Sequence, residues 1–355
     1  MDNGGFVGNQ RIICLGYPAL IQDRYFDRVR AIDPSLEPIG LPVDAGNGEW
    51  VKISPAEPHP EPPEWAGTVA GERRAALADA EVLIALHVSQ DLVRHAPQLK
   101  WVQGVGAGVE QFAAAGVPRD RVVMTNASGL SAGSMAEFVL GRLLQIWKHF
   151  REIDEHQQAH RYQQTYGRTF KGSTVGIVGL GHIGQEVAKR ARALGAGVLA
   201  SKRSAPSDEE AALVDRAYRT SELHEMLGQC DAVVVTAPAT PETHHLINAA
   251  ALAAMRPGAT LVNVARGTLV DETALLAALE SEHLGAAALD VFDAEPLPEN
   301  SPLWDAPNLY ASAHSSVSVD RYIDDVFDLF EENLRRYVEG KPMRNLIDMA
   351  ALGFQ

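Results

Sequence analysis

Three glycines at the spacing G-x-G-x-x-G, Gly179, Gly181 and Gly184, stand between an apolar run, Val175 to Val178, and a helix-forming stretch, Gln185 to Leu194. Residues of this type at this spacing suit a diphosphate. The first glycine permits a tight turn, the second lets backbone approach a pyrophosphate, and the third lets a helix pack closely on a strand. The amides of His182 and Ile183 then fall at the positive end of that helix, where anionic oxygens are stabilised. Strand, glycines, helix and a second strand arrive at the distances a dinucleotide-binding βαβ unit needs; the alternative is a Rossmann-like turn that binds another nucleotide-containing ligand or none. Such a unit ordinarily closes its second strand on an acidic residue that accepts the ribose hydroxyls of adenosine. Here the strand closes on Ser201, Lys202, Arg203 and Ser204.

Other reactive side chains point less clearly to chemistry. His156 and His160 have the i, i+4 spacing of metal ligands on a helix, but the glutamate of H-E-x-x-H is missing and no third ligand is apparent, so they read as surface histidines. His244 and His245 are adjacent and cannot share one helical face. No metal is expected. Cys14 and Cys230 are the only cysteines and lie in or beside apolar runs, the pattern of reduced structural thiols.

The elements that must carry these residues alternate between strand and helix. Apolar runs at Arg11 to Gly16, Glu81 to His87, Trp101 to Val105 and Val122 to Thr125 read as strands of a first block, and Ile53 to Pro63 as a proline-rich loop. Ser134 to Phe150 reads as a long helix that opens a second block, with Ser134 as cap and Glu137 completing a capping box. Strands of the second block are expected at Thr174 to Gly179, Gly197 to Ser201, Ala232 to Thr236, Thr260 to Val264, Gly285 to Asp290 and Leu309 to Ala311. The acidic SDEEAALVD segment reads as a solvated helix, and Val319 to Gly340 as an amphipathic helix stopped by Gly340 and Pro342. This succession predicts an α/β fold with two mostly parallel sheets, each covered on both faces.

Composition bounds the function. At 355 residues, 46% of them apolar, the chain can form two domains with real cores, and a net charge of −15 argues against a nucleic-acid or anionic-membrane partner. The N-terminal MDNGGFVGNQ has no apolar h-region and no later segment has the length of a bilayer span, so a cytoplasmic protein is expected.

Six ordered motifs go further: WVQGVGAGVEQF (101 to 112), TVGIVGLGHIG (174 to 184), APATPETHHLIN (237 to 248), NVARGTLVDETALLAAL (263 to 279), AALDVFDAEPLP (287 to 298) and the pair Ala313, His314. With them the chain resembles the D-isomer-specific 2-hydroxyacid dehydrogenases from about Val82 to the C-terminus. The resemblance implies a discontinuous substrate domain, residues 1–130 and 318–355, a dinucleotide-binding Rossmann domain inserted at 131–317, and an active site in the cleft between them. It also implies that the segment from Glu137 to Tyr166 joins two nucleotide domains in a homodimer.

The same resemblance assigns roles. Arg266 is matched to the arginine that clamps the substrate carboxylate and polarises the ketone, a task suited to a planar, permanently charged fork. His314 is matched to the acid/base that protonates the developing alkoxide, and Glu295 to the carboxylate that orients this imidazole and favours its protonated form. Val105, Gly106, Ala107 and Gly108 form the loop whose amides bind the substrate carboxylate. Asp290 is matched to a contact with the nicotinamide carboxamide, and the cofactor site extends to Thr236, Ala237, Pro238 and Thr243 and to Val264 and Ala265. Taken singly, Arg266 is an ordinary ion-pair arginine, His314 a loop histidine and Glu295 a turn residue; their joint order carries the assignment. The chain departs from the family at Ala313, commonly proline, and at Ser315 and Ser316, where small apolar residues are usual.

Within the family, Glu295 is not the glutamine of formate-oxidising members, and the end of the chain at Gln355 argues against the larger phosphoglycerate-oxidising ones. A reductase of small 2-keto acids, of the glyoxylate/hydroxypyruvate kind, is expected; a dinucleotide-sensing corepressor on the same fold is the alternative. Counting from Gly184, the ribose-binding aspartate of the family falls at Lys202. Ser201, Lys202, Arg203 and Ser204 therefore point to an adenosine 2′-phosphate, and to NADP in preference to NAD. Two basic residues ending a strand at the surface are the plainer alternative.

Overall fold

The computed structural model describes residues 11–41, 77–88, 90–109, 111–112, 115–118, 120–318 and 321–348. The stretch 53–63 and the first ten residues lie outside these. The described residues fall into two compact units, one drawn from Met1–Leu130 and Val319–Gln355, the other from Ser131–Ser318.

In the first unit, strands β1 (Arg11–Leu15), β2 (Leu36–Gly40), β3 (Ala80–Ala85), β4 (Trp101–Gly104) and β5 (Val123–Thr125) form one sheet in the order β2-β1-β3-β4-β5. All the pairings are parallel. The order steps outward on both sides of β1 and β3, which short connections cannot achieve, so helices such as α1 (Asp23–Arg30) and α2 (Gln90–His95) serve as crossovers. Strand β2 carries Pro38, which lacks the N–H a central strand must donate, and it lies at the sheet edge where none is needed. Tyr25 packs tilted against Phe327 at 4.3 Å and Trp101 stacks on Phe330 at 5.3 Å, so the last described helix returns to close one face of this sheet.

The second unit opens with helices α3 (Ala132–Trp147) and α4 (Phe150–Gln158). Its seven strands are β6 (Thr174–Val178), β7 (Gly197–Lys202), β8 (Arg216–Arg219), β9 (Ala232–Val235), β10 (Ala259–Asn263), β11 (Leu284–Leu289) and β12 (Leu309–Ala311). They lie in the order β12-β11-β10-β9-β6-β7-β8, all parallel. The topological switch lies between β6 and β9, with β7 and β8 on one side and the remaining strands on the other; ligands of open α/β sheets bind at such a point. Two apolar clusters cover the two faces, one built on α3 and α5 (His182–Ala193), the other on α7 (Leu223–Leu227), α8 (Ala249–Ala254) and α9 (Glu272–Glu280). A short helix, α6 (Asp208–Ala211), precedes β8. The last described helix, α10 (Tyr322–Val338), belongs to the first unit.

Three expectations need correction. Helix α3 begins two residues before Ser134: its N-cap is Ser131, the Ser134 hydroxyl donates to Ser131 O at 3.1 Å, and Glu137 pairs with Arg190 at 3.4 Å instead of closing a capping box. The helix also stops at Trp147, because His149 takes a left-handed φ of 56° before α4 starts. His156 is not a surface residue: it is buried, with Nδ1 at 3.1 Å from Arg161 and Nε2 at 3.5 Å from Glu152, so tertiary packing has claimed it. The SDEEAALVD segment is largely exposed, but its Glu210 turns inward to Lys202.

Candidate active site

The glycine turn follows β6. Gly179 has φ 103°, and a Cβ there would meet the amide nitrogen of Ala237 at 2.6 Å, so only glycine fits. At Gly184 a Cβ would lie 2.3 Å from Gly179 O, which is the close approach of helix to strand. Gly181 differs from both: it caps α5 in an extended conformation, and a Cβ on it would meet nothing within 4 Å. Neither strain nor internal packing requires glycine at this position, which leaves open space at the N-cap of α5, and no side chain caps the first turn there, His182 and Ile183. A cradle of this form fits a dinucleotide pyrophosphate.

Around the cradle, the Thr236 hydroxyl donates to Gly179 O at 2.6 Å and ties the β6 and β9 ends together. The Thr243 hydroxyl accepts from Thr240 N and donates to Pro238 O, both at 2.8 Å, so it shapes the loop that follows Ala237. At the end of β7, Ser201 is buried and its carbonyl accepts from the Gly179 amide at 3.0 Å, whereas Arg203 and Ser204 are exposed. Lys202 Nζ pairs with Glu210 at 2.5 Å.

Arg266 follows β10 through Val264 and Ala265, both buried. Asn263, itself fully buried, accepts from Ala265 N at 3.0 Å and donates to Arg266 O at 2.9 Å, while Arg266 Nη1 donates to Ala265 O at 2.8 Å. A Cβ on Gly267 would lie 1.8 Å from the carbonyl carbon of Phe292, so the loop after β10 lies directly against the loop after β11. That second loop carries Glu295, whose Oε1 accepts from Phe292 N at 2.9 Å and whose Oε2 lies 3.0 Å from His314 Nδ1. Burial pushes the Glu295 carboxyl up, but hydrogen bonds from His314 and the Phe292 amide, with the charges of His314 and Arg266, hold it below its ordinary value. Glu295 is therefore ionised and accepts from Nδ1–H. Glu272, at the start of α9, accepts from Asp293 N at 2.8 Å and pins the same loop.

His314 has φ 50°, an uncommon conformation for a residue other than glycine. Asp290 imposes it. The Asp290 carbonyl accepts from His314 N at 2.8 Å. Its carboxylate, 1% exposed, accepts from Ser312 Oγ at 2.6 Å, Ser315 N at 2.8 Å and Ser316 N at 2.9 Å. The two serines that depart from the family pattern thus supply backbone donors to one buried carboxylate.

In the first unit, the loop after β4 turns its carbonyls inward. Tyr322 Oη donates to Val105 O at 2.6 Å, Ala127 N to Gly106 O at 3.0 Å, Asn126 Nδ2 to Ala107 O at 2.6 Å and Gln111 Nε2 to Gly108 O at 3.3 Å. Among the described residues, the amides of Gly106, Ala107 and Gly108 donate to no protein acceptor, and Ala107 is exposed. An arrangement with carbonyls held and successive amides unengaged suits an anion.

Tyr322, Asn126, Asn263, Glu272 and Glu210 were not singled out from the sequence. Of these, Asn263, directly before VARG, and Glu272, further along the same motif, lie where the sequence could have drawn attention to them. Among the described residues, no group of three or more His, Cys, Asp or Glu could hold a metal, and no helix is long and apolar enough to cross a membrane. Cys14 and Cys230 are buried free thiols, each pushed up to about 12 by burial.

Comparison with known proteins places this geometry. Residues 140–316 match the family model of the D-isomer specific 2-hydroxyacid dehydrogenase NAD binding domain. The chain is 32% identical to glyoxylate/hydroxypyruvate reductase B of Pectobacterium atrosepticum over 285 residues, 78% of this chain and 88% of that protein. A D-isomer specific 2-hydroxyacid dehydrogenase family protein from Aeromonas salmonicida superposes with a TM-score of 0.79 at 31% identity, covering 96% of this chain and 99% of that one. A D-isomer specific 2-hydroxyacid dehydrogenase from Xanthobacter autotrophicus Py2, solved in complex with NADPH and MES, gives 0.74 at 28% identity, covering 96% and 98%. The chain also matches D-3-phosphoglycerate dehydrogenases, of which it spans about half the length. The chain belongs to the D-isomer specific 2-hydroxyacid dehydrogenases, a family of NAD(P)-dependent oxidoreductases.

Proposed function

We propose that this protein reduces a small 2-keto acid, of the size of glyoxylate or hydroxypyruvate, to the D-2-hydroxy acid, with NADPH preferred to NADH. The observation that carries the reading is the His314–Glu295 pair at 3.0 Å, with Glu295 on a loop packed against the one that presents Arg266. A nicotinamide dinucleotide, held by the Gly179–Gly184 cradle, supplies the hydride that adds to C2 of the ketone.

Everything else falls to the chain itself. Glu295 accepts from Nδ1–H, so the proton given to the ketone oxygen is the one on His314 Nε2, and the C=O π pair becomes the O–H bond of the product. The Arg266 guanidinium can fork the substrate carboxylate and draw charge from the ketone oxygen as it becomes an alkoxide. Asp290 keeps His314 in its left-handed conformation through three hydrogen bonds to the neighbouring serines. The amides of Ala107 and Gly108 are proposed to take the substrate carboxylate.

The preference for NADPH is supported by Lys202 and Arg203 at the end of β7, and by the NADPH in the Xanthobacter structure. Buried reduced thiols suit a cytoplasmic setting. Phe150, Ile153, Tyr162 and Tyr166 are exposed on and after α4, an apolar surface that supports a homodimer.

Steady-state kcat/KM for both reduced cofactors across a panel of 2-keto acids tests the reading. Lys202→Asp with Arg203→Ala should lower NADPH efficiency at least about tenfold, the scale of one lost charge-assisted contact. A wild type that favours NADH, or an unaltered ratio in the double variant, would leave Lys202 and Arg203 as surface charge only.

A further inference from the structure

Two cations end β7, and the structure treats them differently. Lys202 Nζ lies 2.6 and 2.5 Å from the two carboxylate oxygens of Glu210, with both side chains shielded, 25% and 15% exposed. Arg203 is exposed and, among the described residues, makes no ion pair within 4 Å, although its charge adds to the Thr240 and backbone hydrogen bonds that hold the Glu242 carboxyl below its ordinary value. Glu210 cannot easily swing away. It is the third residue of α6, where it accepts from Ser207 N at 2.8 Å while Ser207 Oγ accepts from Glu210 N at 3.2 Å, a complete capping box. Gln185, on the first turn of the helix that follows the glycine cradle, donates to the same carboxylate at 3.3 Å. The Lys202 hydrogen bond, then the Ser207 amide, hold the Glu210 carboxyl below its ordinary value, so the group is a standing anion.

We propose that Glu210 is a specificity-determining residue, a counter-charge that a 2′-phosphate must displace from Lys202 and that can itself accept the ribose hydroxyls of NADH. The inference rests on the reading of the β7 end as the adenosine-ribose pocket. Its consequence follows from charge. The charges of Lys202 and Glu210 cancel, which leaves Arg203, with the carboxylate of Glu242 in its neighbourhood, to meet a phosphate that carries about −1.5 to −2 at neutral pH. Arg203 then supplies most of the discrimination, Lys202 little until Glu210 is neutralised, and NADH remains a usable cofactor. The acidic residue usual for NAD has moved, in effect, from the strand end to a helix eight positions on.

The test is equilibrium binding, read from the quenching of protein fluorescence by NADPH, NADH and 2′-phospho-ADP-ribose. Wild type, Glu210→Gln, Lys202→Met, the Lys202→Met/Glu210→Gln double variant and Arg203→Ala are compared. Glutamine keeps the capping-box hydrogen bonds and removes the charge. The inference predicts that Glu210→Gln tightens NADPH and 2′-phospho-ADP-ribose about tenfold, with NADH unchanged or weaker. It also predicts that Lys202→Met costs NADPH binding much more in the Glu210→Gln background than in wild type, a coupling that a purely structural role for Glu210 would not produce. If Arg203→Ala weakens NADPH at least tenfold but Glu210→Gln leaves the NADPH/NADH ratio unmoved, the role of Glu210 is refuted while the pocket assignment stands. If neither Arg203→Ala nor the double variant alters NADPH binding, the pocket assignment fails and the inference fails with it.

Discussion

Asp290→Asn separates two roles for one buried carboxylate. As aspartate, Oδ1 accepts from Ser312 Oγ and Ser315 N, and Oδ2 from Ser316 N, all within 2.9 Å and with the residue 1% exposed. Asparagine has the same shape but only one acceptor oxygen. With its NH2 at the Oδ2 position it faces Ser316 N; turned over, it faces Ser315 N, although the Ser312 hydroxyl can rotate to accept. Either way one buried backbone N–H meets another donor. An unpaired buried donor costs about 1–3 kcal/mol, and the surviving bonds lose the strength that charge lends them, so the total is on the order of 2–4 kcal/mol. The loop from Ser312 to Ser316 can relieve this by moving, and it carries His314. Because each ~1.4 kcal/mol of transition-state stabilisation is tenfold in rate, kcat should fall roughly tenfold to a hundredfold, with little change in the affinity for NADPH. The assay is steady-state reduction of hydroxypyruvate with kcat and the cofactor KM resolved separately, alongside thermal unfolding, where about 2–4 °C is lost per kcal/mol not relieved. A variant with normal kcat and a raised cofactor KM would refute the reasoning, since it would place the carboxylate on the nicotinamide rather than on the loop.

Three other perturbations follow from the same geometry. Arg266→Ala should lower kcat/KM for ketone reduction by at least about a hundredfold, because the role proposed for it is a clamp on the alkoxide as well as the carboxylate, and a change confined to KM would limit it to ground-state binding. Gly181→Ala should leave the Tm unchanged and weaken NADPH, whereas Gly184→Ala, whose Cβ would lie 2.3 Å from Gly179 O, should lower both; equal effects on the Tm would mean that Gly181 does not face the ligand. Glu295 is held below its ordinary 4.5, so its contribution to stability is fully present above that value and is lost as pH falls through the lower folded one. The Tm advantage of wild type over Glu295→Gln should therefore shrink as the pH is lowered below 4.5, and an advantage independent of pH would mean that the carboxylate is not charged in the pair.

Much of the fold was legible because the second sheet repeats one simple unit. Strands such as Val175 to Val178 and Ala232 to Val235 are buried on both faces and so appear as unbroken apolar runs, each followed by a turn. Edge strands broke that rule: Leu36–Gly40 contains a proline and Arg216–Arg219 two arginines, which only an edge tolerates, and neither has a strand pattern in sequence. The Gly-x-Gly-x-x-Gly turn was readable since two of its glycines are enforced by backbone approach. Partnerships across sequence were not. Glu210 looked like one carboxylate among several on a solvated segment, and nothing local says that the turn after β7 folds it back onto Lys202. Asp290 was matched to a cofactor contact by resemblance, whereas its three donors come from serines more than twenty residues away, which only the pairing of β11 with β12 brings together. The capping box expected at Ser134 failed because Glu137 found a partner, Arg190, on another helix.

The most direct test of the central claim is consumption of NADPH by the purified protein when glyoxylate or hydroxypyruvate is added, with the chirality of the product determined, for wild type and His314→Ala. The account predicts turnover by wild type, a D-2-hydroxy acid product from hydroxypyruvate, and a loss of at least about a hundredfold in kcat/KM for His314→Ala with NADPH binding largely retained. Near-normal turnover by folded His314→Ala, or tight NADPH binding by wild type with no reduction of any small 2-keto acid, would contradict it.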